Sequence, residues 1–443
     1  MKKAGAGVLA GLLMAATGFS ADWPQFCGPA RNNISTETGL AKSWPKKGPE
    51  ELWKIDVTEG YAGPAIKDGK VYILEHDGAD SIVRCLSFDS GKELWACSFD
   101  DPGELKNKKY PGTRGTPTVT EDSLYAVTLF GTVVGVDLKS HKVRWQHNLV
   151  SDYGRSPGGF GIAQNPLVYG DLVILAPLTE KISLVALDQK SGKEVWTTSG
   201  FAGGGHSSPT RVSIDGEDQI LMAAGGSKPK KSSRRGKKEA PKEKKPKAKP
   251  GPAYIFAVSP KDGTVLWSYD GFICHNPIPH PIAVNRNTLF ITSGYKAIST
   301  MLQVKKHEGA YAVKELLKTE DAATQIEQPI FVNDHLFVGG TVKAAKKGLV
   351  CIDLDGNVKW DSNEIGSAPK FEHLNMLAAD DMLIALDGAS GMLHLIDASP
   401  DAFNELASAK VVAEKGQTWA PIALSDGKLL VRDHTEMKCL NLK

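Results

Sequence analysis

The sequence of 443 residues is 41% hydrophobic and 23% charged, a balance that excludes a disordered chain and supplies enough apolar side chains for a large core. Its 45 glycines and 25 prolines favour short strands joined by turns over long helices. The net charge of +2 hides an asymmetry, because residues 227–250 alone contribute +10 and the remaining residues therefore sum to −8.

The N-terminus has the order of a secretory signal. Lys2 and Lys3 precede an apolar run over 4–16, and small residues follow up to Ser20 and Ala21, after either of which we expect cleavage. The run is too short to span a bilayer as a helix, and no later segment is long and apolar enough to do so. Because no cysteine stands beside the cleavage site, the sequence gives no support for a lipid anchor. We therefore expect residues 1–21 to be a signal peptide, 22–50 to be an N-terminal arm, and the mature protein to be soluble in the periplasm or outside the cell.

One short phrase recurs along the chain: SGKELWAC at 90–97, SHKVRWQH at 140–147, SGKEVWTT at 191–198, KDGTVLWSY at 261–269 and DGNVKWDS at 355–362. The tryptophans of the first three are 50 and 51 residues apart, and the next interval is 71 residues because the basic stretch of 24 residues lies within it. A period of about 46 residues is typical of architectures in which one repeat cannot bury its own faces.

Each repeat contains four strand-like segments with Gly, Asp or Ser between them, as in PTVTED, SLYAVTLF, GTVVGVDLKSHK and VRWQHNL over 117–149. Eight repeats begin, in chain order, at Pro64, Pro117, Pro166, Pro209, Pro281, Pro329, near Leu374 and at Pro421. The eighth ends at EMKCLNL without a tryptophan segment, whereas an extra one, ELWKIDV at 51–57, stands before the first. We therefore predict an all-β fold, an eight-bladed β-propeller over 51–443, in which the N-terminal strand completes the last four-stranded antiparallel blade and the tryptophans pack between blades.

The repeats resemble PQQ-like repeats, through the proline that starts each unit, the LYAV segment, the small residue before LD and the SGKEVW turn. The opening WPQFCGPARNNISTETGLAKSW (23–44) is similar to the Trp-Pro-Gln-Phe-x-Gly-Pro start of a group of exported PQQ-like propellers. The resemblance covers most of 51–443 and is specific for the fold rather than for an activity. It implies two kinds of relative: quinoprotein alcohol dehydrogenases, which hold pyrroloquinoline quinone (PQQ) and calcium on the channel axis, and the outer-membrane assembly lipoprotein BamB, which binds protein partners.

In such a propeller, the links from fourth to first strands and from second to third strands share one face. This loop-rich face carries the long, unusual sequences, among them SPGGFGIAQNP (156–166) and CHNPIPHP (274–281). We expect the residues just before each first strand to surround the channel mouth and to bind a ligand or a partner loop: Tyr61, Arg114, Gln164, Asn165, His206, His280, Gln328, His373 and Trp419. The alternative is a ring of polar side chains that is merely hydrated.

A PQQ-dependent dehydrogenase that oxidises alcohols or sugars is the alternative function. The resemblance implies for such an enzyme a stacking platform, a metal clamp of carboxylate and amide oxygens, a carboxylate base and, in many members, an adjacent Cys-Cys disulfide. This sequence has no Cys-Cys pair, and Asn165, Glu327 and Glu372 form no matching constellation. The loop histidines match no metal-ligand spacing: His206, His275, His280 and His373. We predict no catalytic residue, no metal and no cofactor, with PQQ and calcium kept as the alternative.

The cysteines have mainly structural interpretations. A small residue occupies the same third-strand core position in six repeats: Cys85, Gly135, Ala186, Ala257, Cys351 and Cys439. Export would permit disulfides, and Cys85 and Cys97 flank one hairpin and could pair across it.

The basic stretch 227–250 lies between QILMAAG and AYIFAV, which places it on the loop-rich face. It has no aromatic residue and is rich in Lys and Pro, as is typical of a disordered, solvated loop; the alternative is contact with an anionic surface such as lipid headgroups, envelope polymers or nucleic acid. We predict an exported, monomeric, non-enzymatic binding or scaffold module whose loop-rich face binds an envelope protein or a small ligand. A polysaccharide-binding sensor stays open as a third possibility.

Overall fold

The computed structural model describes residues 22–226, 253–274, 276–294, 297–340, 348–413 and 417–443. The expected signal peptide, the basic stretch 227–250 and His275 lie outside the described residues.

The described strands form eight four-stranded antiparallel sheets, which confirms the predicted eight-bladed propeller. Blades 1 to 4 contain β2 (Ala65–Lys67), β3 (Lys70–His76), β4 (Asp80–Ser87) and β5 (Glu93–Asp100); β6 (Thr118–Val119), β7 (Ser123–Val127), β8 (Thr132–Asp137) and β9 (Lys142–Asn148); β10 (Leu167–Tyr169), β11 (Leu172–Leu175), β12 (Leu184–Asp188) and β13 (Glu194–Thr198); and β14 (Thr210–Ile214), β15 (Glu217–Ala224), β16 (Ala253–Val258) and β17 (Val265–Phe272). Blades 5 to 8 contain β18 (Ile282–Asn285), β19 (Thr288–Ile291), β20 (Ser299–His307) and β21 (Ala310–Thr319); β22 (Ile330–Val332), β23 (His335–Gly340), β24 (Gly348–Ile352) and β25 (Val358–Asp361); β26 (Leu374–Ala379), β27 (Met382–Asp387), β28 (Met392–Asp397) and β29 (Glu405–Lys410); and β30 (Ala423–Ser425), β31 (Lys428–Arg432), β32 (Glu436–Asn441) and β1 (Glu50–Asp56).

The strands of a blade differ in burial according to their distance from the axis. β3 and β7 are buried along nearly their whole length, because both of their faces pack against neighbouring blades, whereas the fourth strand β5 is largely exposed. The short first strands lie innermost, and β2 contacts both β6 of the next blade and β30 of the last. In blade 8 the strand order is β30, β31, β32, β1, with Trp53 of β1 opposite Cys439 of β32.

The recurring tryptophans are positioned by a bulge and by a small residue across the hairpin. In blade 3, Trp196 lies opposite Ala186, and the register shifts immediately beyond that pair. The indole of Trp196 then reaches the next blade, where its Nε1–H donates to the carbonyl of Pro260 at 3.1 Å and its ring packs on Gly263. The repeated phrase therefore joins blade 3 to blade 4, and Trp53 and Trp145 pack on Gly91 and Gly192 of their next blades in the same way.

Other junctions depart from this pattern; for example, Nε1–H of Trp267 donates to Gln219 of its own blade. In blade 2, His141 stands where the repeated phrase has glycine at 91, 192, 263 and 356; it adopts a left-handed backbone with φ of 58°. Its imidazole stacks on Trp95 of blade 1, with ring centroids 4.6 Å apart and an interplanar angle of 12°. An aromatic contact here replaces the close packing of indole on glycine.

The pairing of Cys85 with Cys97, which the sequence permits without requiring it, is not formed. Cys97 lies opposite Val83, Cys85 lies opposite Trp95, and both thiols are free. Cys85 instead occupies the small-residue position beneath the indole, where burial raises its thiol pKa to about 11.

The described residues include one helical turn, the 3-10 helix η1 (Ser362–Glu364). Nothing in the described part of the chain forms a helix with the length and hydropathy needed to span a membrane.

Candidate functional site

The N-terminal arm runs across the ring before it enters β1. Its first residues pair with the inner strands of two blades: Trp23 exchanges backbone hydrogen bonds of 2.9 and 2.8 Å with Ile66, and Val119 donates its N–H to the carbonyl of Pro24 at 2.8 Å. Farther along, Ala378 of blade 7 donates to the carbonyl of Asn33 at 2.8 Å. The arm therefore crosses from one side of the ring to the other.

Arg31 fixes the middle of this crossing. Its guanidinium donates to the carbonyl of Pro166 at 2.9 Å, and its own carbonyl accepts a hydrogen bond of 2.8 Å from Nε2 of His280 in the link to blade 5. Both side chains are buried, at 3% exposure each. Burial, assisted by Arg31, lowers the pKa of His280 to about 3, so this imidazole is neutral and donates one proton to the arm.

A cavity of about 430 Å³ opens on the loop-rich face above the arm. Its deep end includes Phe26, Cys27 and Asn33 of the arm. Each of the eight links into a first strand contributes to the walls, among them Tyr61, Arg114, Phe160, His206, Ile278, Glu327, His373 and Trp419. We call this space the channel cavity; its volume lies within the usual range for small-molecule sites, about 300–1,000 Å³.

Seven of the nine residues expected at the channel mouth line the channel cavity: Tyr61, Arg114, Asn165, His206, Gln328, His373 and Trp419. Gln164 and His280 do not. The side-chain amide of Gln164 donates to the carbonyl of Ala176 at 3.0 Å and accepts from its N–H at 2.8 Å.

Two of the lining residues tie neighbouring links together. Asn165 accepts from the N–H of Thr116 at 2.7 Å and donates to Ser208 at 3.0 Å, while Gln328 bonds to the backbone of His280 at 2.7 and 3.1 Å.

An aromatic shelf, formed by Tyr61, Tyr110 and Trp419, crosses one side of the channel cavity. Trp419 stacks on Tyr61 at 5.5 Å and on Tyr110 at 5.8 Å between ring centroids. Such offset stacks contribute about 0.5–1.5 kcal/mol each beyond their buried area. Because Trp419 is only partly buried, the shelf leaves aromatic surface facing the cavity.

A cationic end borders the shelf. The Arg114 guanidinium lies 5.4 Å from the centre of the Tyr61 ring and donates to the carbonyls of Gly112 and Tyr110, both at 2.6 Å. No carboxylate among the described residues forms an ion pair with Arg114, and burial lowers its pKa to about 10, so it remains charged at neutral pH.

His206 stands beside this end as a neutral imidazole. Burial and the charges of Arg155 and Arg114 lower its pKa to about 4. Its Nδ1 is buried without a hydrogen-bond partner within the described ranges. Arg155 behind it donates to the carbonyls of Gly205 and Pro177, at 2.6 and 3.2 Å.

The opposite end carries a carboxylate–imidazole pair. Oε1 of Glu327 lies 3.0 Å from Nδ1 of His373, and the two side chains are 2% and 9% exposed. The other oxygen, Oε2, accepts from the hydroxyl of Thr324 at 2.9 Å and from the N–H of Ile326 at 3.2 Å. The His373 ring packs against Trp419 with centroids 4.5 Å apart.

Glu327 and Asn165 do not fit the calcium clamp of the dehydrogenases. Calcium takes about six to eight oxygen ligands. Here both oxygens of Glu327 are used by His373 and its own loop, and the amide of Asn165 is used by neighbouring links. Within the described residues no three His, Cys, Asp or Glu side chains are grouped to hold a metal ion.

Sequence reasoning missed the arm as the deep end of the site and Tyr110 as part of the shelf. The arm has no periodicity that would reveal its route, and Tyr110 lies four residues before Arg114, outside the positions next to the first strand. The pairing of Glu327 with His373 also joins two different links, a relation that spacing along one chain does not show.

Comparison with known proteins supports the fold and one family. A family model described as outer membrane protein assembly factor BamB matches residues 34–152 and 79–237. The serine/threonine-protein kinase AfsK of Streptomyces griseus is 30% identical over 171 residues, which are 37% of this chain and 19% of that protein. The match thus spans about a fifth of that relative's length.

Two solved structures share the architecture. BamB from Moraxella catarrhalis superposes with a TM-score of 0.59 and 13% identity, covering 89% of this chain and 98% of that chain. The quinohemoprotein alcohol dehydrogenase of Comamonas testosteroni gives 0.61 and 13%, covering 95% of this chain and 80% of that chain. At such identity they support the fold alone. With the eight described blades they show an eight-bladed β-propeller, and the family match over 34–237 supports its likeness to PQQ-like propellers.

Proposed function

We propose that this protein is an exported, non-enzymatic binding module that recognises a ligand, or the tip of a partner loop, in the channel cavity of its loop-rich face. The charged and then apolar order of residues 1–21 supports export. The observation that carries the binding role is a cavity of about 430 Å³ that the arm borders at its deep end and that pairs an aromatic shelf with the unpaired cation of Arg114. Apolar walls with a few convergent polar groups are the usual form of a ligand site.

The charge of Arg114 supports a ligand site over a hydrated channel. An arginine with no carboxylate partner in the described part of the chain costs desolvation free energy in the free protein. A negatively charged or strongly polar group in the cavity would recover part of that cost. Arg155 also donates to two backbone carbonyls, but only Arg114 of the two lines the channel cavity, where a ligand could reach its guanidinium.

A dehydrogenase is the second candidate, favoured by the partly exposed Trp419, on which a flat cofactor could stack. The donor set argues against it, because Glu327 and Asn165 are occupied by protein partners. We therefore assign binding without chemistry, and treat quinone binding as an outcome to be tested.

The test is thermal unfolding of the full chain with a panel of small organic acids, amines, sugars and PQQ, the last with and without calcium. We expect at least one class to raise the unfolding temperature saturably, since a ligand that binds only the folded state stabilises it by mass action. The effect should disappear in the double variant Arg114→Ala/His206→Ala.

Arg211→Ala is the matched control, because Arg211 is 58% exposed and pairs with Asp218 outside the cavity. A panel without any stabilising compound, or stabilisation that the double variant retains in full, would rule out this site. Fractionation of the native host tests the export claim separately, and a cytoplasmic, unprocessed chain would contradict it.

A further inference from the structure

The channel cavity has chemically different ends, and this polarity restricts the ligand that it accepts. The cationic end is Arg114, and the opposite end is His373, which Glu327 holds. Trp419 connects them, because it stacks on Tyr61, over which Arg114 lies, and also contacts His373. The inference below rests on the proposed function and specifies its ligand class.

The cationic end has hydrogen-bond donors to spare. A guanidinium carries five N–H groups, and the two short bonds from Arg114 to Gly112 and Tyr110 hold it in place without using all of them. No carboxylate in the described part of the chain neutralises it. Carboxylates suit such a group particularly well, because their two oxygens match the fork of the guanidinium.

The other end holds a ring nitrogen that accepts a hydrogen bond when the imidazole is neutral. A carboxylate only accepts, so the contact of 3.0 Å from Glu327 places a proton on Nδ1 of His373. In the neutral ring, Nε2 is then an acceptor, and it bonds to no side chain or backbone group of the described residues. The contact with Glu327 orients the ring, and the backbone of His373 is left-handed, with φ of 57°.

The surface between the ends is aromatic. Trp419 and Tyr110 lie within 29° of parallel, and Phe160, which is 40% exposed, continues the apolar wall 5.6 Å from Tyr110. A planar ring gains more from such a surface than a puckered one, because it can stack face to face with an offset.

We propose that the channel cavity selects a planar aromatic acid that carries a hydroxyl group at its far end, with the carboxylate at Arg114, the ring on Trp419 and the hydroxyl donating to Nε2 of His373. The recognition needs no metal ion. It also differs from binding of a partner protein, which would not require the three groups to be combined in one small molecule.

The test measures dissociation constants by calorimetry for four probes on the full chain. The probes are 4-hydroxycinnamate, cinnamate, 4-hydroxycinnamamide and 3-(4-hydroxycyclohexyl)propanoate. We expect 4-hydroxycinnamate to bind most tightly, and each of the other three, which lack the hydroxyl, the charge or the flat ring, to bind at least about tenfold more weakly.

Two variants separate the two ends. Arg114→Gln should weaken 4-hydroxycinnamate about tenfold or more while leaving its preference over cinnamate intact. His373→Asn should do the reverse, bringing the affinities for cinnamate and 4-hydroxycinnamate within about twofold of each other; asparagine is chosen because it tolerates a left-handed backbone. Arg211→Gln is the control and should change neither quantity.

The outcomes also distinguish this inference from the proposed function. Equal affinity for acid and amide, equal affinity with and without the hydroxyl, or no binding of any probe would overturn the inference. If another class from the thermal panel binds and the double variant abolishes that binding, the binding module stands with a different ligand. If nothing in either set binds, both fall.

Discussion

Replacing Gly263 with alanine tests the packing of the repeated phrase on the neighbouring blade. Gly263 has φ of 72°, a conformation that costs an alanine about 1–2 kcal/mol. An added Cβ would also lie 2.5 Å from Cε3 of Trp196 and 3.0 Å from the hydroxyl of Thr198, and such overpacking costs a further ~1–3 kcal/mol. We therefore expect Gly263→Ala to lower the free energy of unfolding by ~2–5 kcal/mol in urea titrations followed by tryptophan fluorescence.

The matched control lies in the same blade. Gly216 has φ of 84° and nothing within 4 Å of an added Cβ, so Gly216→Ala carries the backbone cost alone, ~1–2 kcal/mol. The difference between the two variants isolates the contact with Trp196. Equal destabilisation by both would refute the view that the glycine is required by the indole of the preceding blade.

Three further predictions concern the arm and the core. His280→Gln should flatten the dependence of the free energy of unfolding on acid pH. Folding lowers the pKa of His280 to about 3, so the contribution of its neutral imidazole to stability is complete above pH ~6.5 and is lost as pH falls, at up to ~1.4 kcal/mol per pH unit. Urea titrations at several pH values measure this slope, and an unchanged slope in the variant would contradict the prediction. Arg31→Met should cost ~1.5–3 kcal/mol in the same assay, since it removes a buried hydrogen bond from a charged group to the carbonyl of Pro166 and leaves that carbonyl with the hydroxyl of Thr118 alone, and a loss below ~0.5 kcal/mol would show that the arm is loosely held. Ala257→Leu should cost ~1–3 kcal/mol, because Ala257 lies opposite Trp267, whereas Ala257→Cys should cost less than ~1 kcal/mol, as cysteine fills this position in other blades; equal losses would count against the small-residue rule.

The ring of blades could be predicted from the sequence because it depends on local signals that repeat. Six of the first strands begin one residue after the proline that starts the repeat, as Ala65 follows Pro64. The sequence also predicted the small residue that lies opposite each tryptophan in the hairpin, since Cys351 lies opposite Trp360 and Ala257 opposite Trp267. Turn glycines, and strands in which apolar and polar residues alternate, can be identified from neighbouring residues alone.

The site was less predictable, because its decisive contacts join distant parts of the chain. The carbonyl of Arg31 meets His280, and Glu327 meets His373, across blades that no sequence interval relates. Position before a first strand did indicate which residues reach the cavity. It did not show that Gln164 would turn back to its own blade, since that choice depends on an unpaired backbone group at Ala176.

The central claim, binding without quinone chemistry, is tested most directly by calorimetric titration of the full chain with PQQ in the presence and absence of calcium. We expect no calcium-dependent binding, because the oxygens of Glu327 are already engaged by His373 and Thr324 and the amide oxygen of Asn165 by the N–H of Thr116. Micromolar or tighter binding of PQQ that requires calcium would contradict it and would identify the channel cavity as a dehydrogenase site.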